Sequence, residues 1–321
     1  MMKSVHFISG FFLLLLLASC STEKKSVATP ALQFRWNAPQ HFEVVETIQK
    51  KGNTFQIAHN CELVQTNDEF ELQWLDAKIR EVNGERVADS EELRRTVEPL
   101  EASFVYPAFR VNQSGQFLEA TDSTEYMKKS DHMLDIVATN RDEDNRKFFT
   151  NFSKSETGKQ VMNQFSAQIW QTWVEAWTDV ELADGQSASA TGMTPFAGGT
   201  ELPATERMMN LGPVKSNTNL LSLKYEHDMS GTNIVGAIND FIEKMAKETE
   251  LKNGAGPITN EFSMRRTTTL EVQTERLTLR PHWAKRTIRT IFVSPSEPME
   301  TELEVHEYRF QWNINPFELK K

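Results

Sequence analysis

From residue 41 onward, apolar side chains recur mostly at every second position. "HFEVVETIQ", "TFQIAHNCELV" and "EFELQWLDAKIREV" carry this alternation, with Phe70, Leu72 and Trp74 in phase. "KKGN" and "QTND" separate the runs with turn formers. The pattern predicts an antiparallel meander over 41–82. Asn83-Gly84 suits the positive dihedrals of a tight hairpin. Ser90 can then cap a short helix with Leu93, Val97 and Leu100 on one face. Residues 109–122 read as a further hairpin turning at Ser114-Gly115.

The period then lengthens. Asp122 with Glu125 resembles a capping box opening a helix to about Val137, with Met127, Met133, Leu134 and Val137 facing the core. A second helix is expected from about Glu156 to Trp177. Its apolar residues spread over more than half the circumference toward the C-terminal end, so cover on more than one side is expected. The Gly/Ser-rich stretch 183–199 reads as a loop, and strands follow at 200–228. A third helix, about Thr232 to Glu248, has Ile234, Ile238, Phe241, Ile242 and Met245 in one stripe. Strands rich in Thr, Val and aromatics fill 259–314. The order strands, helices, strands, helix, strands predicts an α+β fold: a large curved antiparallel sheet, half-barrel-like, around the Trp-bearing helix. As architecture alone, this resembles the half-open barrels of lipoprotein carriers.

The first thirty residues follow another logic. Lys3 precedes an apolar run from Phe7 to Leu17, broken only by Ser9 and Gly10. The run is shorter than the ~20 residues that a spanning helix needs and fits a signal-peptide core. Leu17, Ala18, Ser19 and Cys20 follow. This end resembles the bacterial lipoprotein signal with its lipobox. The resemblance implies cleavage before Cys20, leaving 1–19 as signal peptide, and a diacylglycerol thioether on Cys20, whose new amine is usually acylated too. In that family the residue after the Cys helps sorting. Ser21 there implies the outer membrane, facing the periplasm, in a Gram-negative host. Residues 20–31 read as a lipidated flexible tether ahead of one α+β domain, 32–321, with 183–199 as the best place for a subdivision. Extended, residues 21–31 reach roughly 35 Å.

Composition narrows the chemistry. Net charge is −10 over 321 residues, which argues against general nucleic-acid binding, since that needs a basic face. With Cys20 committed to lipid, Cys61 is the remaining cysteine and reads as a small buried hydrophobe. No phosphate-cradling glycine loop, G-x-S-x-G elbow or metal-spaced His pair occurs, so no cofactor, metal or catalytic residue is assigned. His306 lies near Glu304 and Glu307 in an expected strand and reads as structural or solvent-facing. Residues 68–101 are acidic, eleven Asp/Glu against five Lys/Arg, whereas 261–291 carry seven Lys/Arg against three Asp/Glu. The basic run is either a face that grips an anionic partner or a solvated strand surface.

Ile79, Val82, Asn83, Gly84, Val87 and Leu93 resemble the latter part of a PDZ domain. That family's carboxylate-binding Gly-Leu-Gly-Phe-type loop is missing upstream, so no function is carried over from about twenty residues. The Trp-rich helix admits two readings: a core pillar, or an apolar cavity wall made by Phe165, Ile169, Trp170, Trp173 and Trp177. The function expected is therefore a lipid-anchored envelope protein with a non-enzymatic binding or maintenance role, partnered by membrane, lipid or an envelope protein. A lipid-binding protein with a cavity inside the sheet is the alternative, and a hydrolase with a dispersed site is a third.

Overall fold

A computed structural model describes residues 31–121, 126–129, 150–152, 154–196, 201–232, 234–249, 263–293 and 300–312. The lipobox with Cys20, and all of the helix expected at 122–137 except 126–129, lie outside the described residues.

The chain is mostly one large, open antiparallel sheet with a few helices. Its strands are β1 (Gln40–Lys50), β2 (Asn53–Thr66), β3 (Glu69–Val82), β4 (Glu85–Arg86), β5 (Phe109–Asn112), β6 (Phe117–Ala120), β7 (Ser187–Pro195), β8 (Glu201–Val214), β9 (Asn217–Gly231), β10 (Ser263–Glu275), β11 (Pro281–Val293) and β12 (Glu300–Trp312). The order is β6-β5-β3-β2-β1-β12-β11-β10-β9-β8-β7, with β4 attached to β3. The first and last long strands, β1 and β12, pair at the centre, Glu46 opposite Tyr308. β6 and β7 are the two ends, so the sheet does not close.

The turns form where the sequence carries residues that tolerate positive φ. Lys51-Gly52 joins β1 to β2 and Asn83-Gly84 joins β3 to β4, all four residues with φ between 49° and 87°. At Gly115 (φ 83°) glycine is required twice over, because a Cβ would also lie 2.6 Å from Cβ of Phe34.

Helix α1 (Glu91–Val97) is capped by Ser90, whose hydroxyl accepts from Leu93 N at 3.3 Å. It covers Ile57, Ala77 and Ile79. Helix α2 (Glu156–Trp173) is capped by Ser155, which accepts from Gly158 N at 2.9 Å. It stops earlier than the periodicity implied: Val174 leaves helical geometry, and a 3-10 turn, Glu175–Trp177, carries the last Trp. Helix α3 (Val235–Glu248) begins near Ile234, which packs with Leu202, Ala204, Met229 and Met264.

The stretch expected as a loop at 183–199 instead contains β7, paired to β8 from Ser187–Met209 to Pro195–Glu201. This edge strand buries neither face, so no apolar alternation marks it; the backbone ladder alone places it. No described helix is long and apolar enough to cross a membrane.

The face of the sheet under α2, the inner face, holds the main core. Phe42 and Val44, Leu221 and Leu223, Leu270 and Val272 pack there with Trp170, Trp173 and Trp177. The expected cover on several sides is present. Trp170 meets Phe34 (5.6 Å between ring centres), Trp36 (5.4 Å) and Phe109 (5.7 Å), while Trp173 meets Trp74 (5.5 Å), Tyr308 (5.5 Å) and Phe310 (4.9 Å). Cys61 is buried in the same core as a free thiol, as its sequence context implied.

Candidate functional site

Alternation places charged residues on the inner face wherever an apolar phase is broken. In β1 the phase Phe42, Val44 continues to Glu46, which is 1% exposed. In β12 the phase Phe310, Tyr308 continues to His306 and Glu304, whereas Glu307 points to the other face and binds Trp283 and Arg309. His59 sits on β2 next to β1. Tyr106 arrives from the segment after α1.

These groups converge on the Glu46 carboxylate. His306 Nδ1 lies 2.7 Å from Oε1. His59 Nε2 lies 3.1 Å from Oε2, and the Tyr106 hydroxyl donates to that oxygen at 2.8 Å. His306 Nε2 contacts Glu304 Oε1 at 2.7 Å, and Lys50 Nζ lies 2.5 Å from Glu304 Oε2. Burial pushes the Glu46 carboxyl up, but the hydrogen bonds from His306 and His59 outweigh it and hold it below the usual range. Burial lowers the His306 pKa, and its bonds to Glu304 and Glu46 reverse that, leaving it raised. Glu304 is held at about 2, first by His306. The Tyr106 phenol is pushed well up by burial and then by the Glu46 charge.

With both ring nitrogens engaged by carboxylates, His306 has no free nitrogen with which to act as a general base. The network takes up both Glu46 oxygens and both His306 nitrogens and ties β1, β2 and β12 together, with the buried Nδ1 of His59 left without a hydrogen-bond partner among the described residues. Burial of Glu46, His59 and His306 also keeps a substrate from reaching it. Among the described residues no group of His, Cys, Asp and Glu has the arrangement of a metal site.

Next to this network lie two arginines. Arg286 of β11 pairs in register with His306 and with Leu270, and Arg266 of β10 with Thr290 and Met229. Both are in the inward phase of their strands. They stand between the Trp core under α2 and the apolar patch beside α3. Arg286 is 4% exposed; its Nη1 donates to Gln168 of α2 at 2.8 Å, and its Nε has no hydrogen-bond partner. Burial, and next the charge of Arg286, lower the Arg266 pKa.

The basic run 261–291 is thus divided by strand geometry. Arg265 forks onto Asp228, Arg276 onto Asp184 at 2.9 Å, and Arg280 lies over the Trp312 ring at 5.1 Å. Only Arg266 and Arg286 are turned to the inner face without a carboxylate in salt-bridge contact among the described residues.

Of the residues expected to line an apolar cavity, Ile169, Trp170, Trp173 and Trp177 are buried in the main core. Phe165 is half-buried, 5.1 Å from the Tyr106 ring and 6.3 Å from that of Tyr126. Elsewhere, a groove of about 560 Å³ runs between β3 and the α1 region, with Lys78, Arg80, Arg94, Val97, Glu98 and Glu101 on its walls. Glu101 Oε1 accepts from Ile79 N at 3.0 Å, covering part of β3 that neither β4 nor β5 pairs. The strand, Asn-Gly turn and capped helix that resembled a PDZ segment are present, built into the twelve-stranded sheet.

No protein-family model matches the chain, and no curated protein matches it. Among solved structures it is similar to one described as "Lipid-protein interactions in lipovitellin", at 8% identity and a TM-score of 0.34. The match covers 86% of this chain and spans about a quarter, 25%, of that one.

Proposed function

We propose that this is a lipid-anchored binding protein of the cell envelope, with a non-enzymatic role. Cys20 carries the lipid and Ser21 directs the protein to the outer membrane, where it faces the periplasm. The observation that carries this reading is the lipobox-like Leu17-Ala18-Ser19-Cys20 standing a short tether ahead of a firmly docked chain start. Leu32 donates from its N to Val180 O at 3.2 Å and accepts from Asp179 N at 2.8 Å, and Phe34 and Trp36 are buried in the core. Residues 21–31 therefore set the stand-off from the membrane, at most roughly 35 Å. Two or three acyl chains, at ~0.8 kcal/mol per buried methylene, make such attachment effectively permanent.

The mutual engagement and burial of Glu46 and His306 support a binding role over a catalytic one. The finer reading is that the inner face receives an amphipathic ligand, such as a lipid. The half-buried Phe165 and the unpaired inner arginines favour it. The test is intact mass with membrane fractionation. The native protein should begin at Cys20, carry acyl mass and sediment with membranes. Cys20→Ala should lose the acyl mass and stay soluble. An unacylated native chain would refute the anchor.

A further inference from the structure

We infer that Arg266 and Arg286 form an oxyanion site on the inner face that takes the phosphate or carboxylate head of an amphipathic ligand. This deepens the binding reading above and rests on it. Three observations carry the site. First, strand parity and the Gln168 bond put Arg286 on the face that α2 covers, and Arg266 shares the phase of Leu270 and Val272 on that face. Second, Arg286 is 4% exposed with an unpartnered Nε, and Arg266 has no hydrogen bond or ion pair among the described residues. Third, the nearby acids are already engaged. Glu304 takes His306 on one oxygen and Lys50 on the other, and Glu46 takes His306, His59 and Tyr106.

Arg286 is buried and Arg266 half-buried, and Glu304, the acid whose charge acts on Arg266, is already shared by His306 and Lys50, so two guanidinium groups that repel each other are only partly compensated. An oxyanion between them completes the compensation, because the planar fork of arginine matches carboxylate and phosphate oxygens two at a time. Thr268 and Ile288, paired in register, lie between the two arginine rungs, so the site offers a hydroxyl and an apolar surface together. Ile288, half-buried between the two arginine rungs, supplies apolar surface on which an acyl chain would lie.

The test is calorimetric titration of the full chain, held in a non-ionic detergent, with dodecyl phosphate, dodecanoate, inorganic phosphate and dodecanol. The expected result is binding of dodecyl phosphate or dodecanoate, weakened roughly tenfold or more by Arg266→Met and by Arg286→Met. Arg286→Lys, which retains charge but loses the fork, should weaken it less and guards against a folding defect in the larger change. Inorganic phosphate binding as tightly as dodecyl phosphate would identify a free anion as ligand; binding of the amphiphiles alone would identify a lipid head. Arg266→Met should also raise the melting temperature of the ligand-free protein, because it removes repulsion. Dodecanol bound equally by wild type and variants, with no preference for the anions, would leave the binding reading standing and overturn the oxyanion site. So would a fall in ligand-free stability on Arg266→Met.

Discussion

Glu175 reports on burial in a way that can be measured directly. It opens the 3-10 turn after α2 and is mostly buried, with Oε1 accepting from Phe117 N at 3.3 Å. Burial raises its pKa to about 7 from an ordinary 4.5, and the Phe117 bond only partly opposes this. The folded protein therefore binds this proton more tightly than the unfolded chain does. The stability associated with the neutral acid is full below about 4.5, falls as pH rises and is lost once pH passes about 7. At ~1.36 kcal/mol per pH unit, the loss amounts to about 3 kcal/mol. Glu175→Gln keeps the shape and the acceptor for Phe117 N and removes the charge. Urea denaturation should show near-equal stability for wild type and variant at pH 4.5, and the variant more stable by about 3 kcal/mol at pH 8.5. A difference that does not change with pH, or a variant less stable at pH 8.5, would refute the reasoning.

The Glu46 network predicts a bounded optimum. Lowered Glu46 and Glu304 contribute above about 4.5 and lose their contribution as pH falls, for Glu304 through about 2, while raised His306 contributes fully below about 6.5 and fades as pH rises past it. Denaturation midpoints across pH should show this profile, and His306→Gln should flatten its alkaline side. Glu46→Gln breaks a buried ion pair and should lower stability by about 3–5 kcal/mol at pH 5.5, read by the same denaturation. In α2, a Cβ at Gly158 would lie 1.9 Å from Phe152 O, so Gly158→Ala should destabilise by about 1–3 kcal/mol in thermal melts; a neutral substitution would contradict the close approach.

Much of the fold was legible because local signals agreed. Alternation in 41–82, Asn83-Gly84 and the Ser90 cap each appear where the residues placed them. β7 was not legible, because an edge strand that buries no face carries no period. The candidate site left a faint mark in the sequence: Glu46 follows Phe42 and Val44 in phase, and Arg266 and Arg286 fall at inward positions of their strands. A charge in an apolar phase marks a buried group but names no partner. His306 was read as structural or solvent-facing and is buried, and its partner Glu46 lies 260 residues away.

The residues alone determined the strand phases, the turns, the caps and the lipobox-like signal, since these depend on side chains within a few positions of one another. Only the tertiary structure decided which charges meet. Pairing β1 with β12 brings the first and last long strands together and closes the Glu46 network. Pairing β10 with β11 in the sheet sets Arg266 and Arg286 on the inner face together, while the adjacent Arg265 faces out onto Asp228. Electrostatics and burial depend on distance in space, and long-range sheet register is what sets that distance.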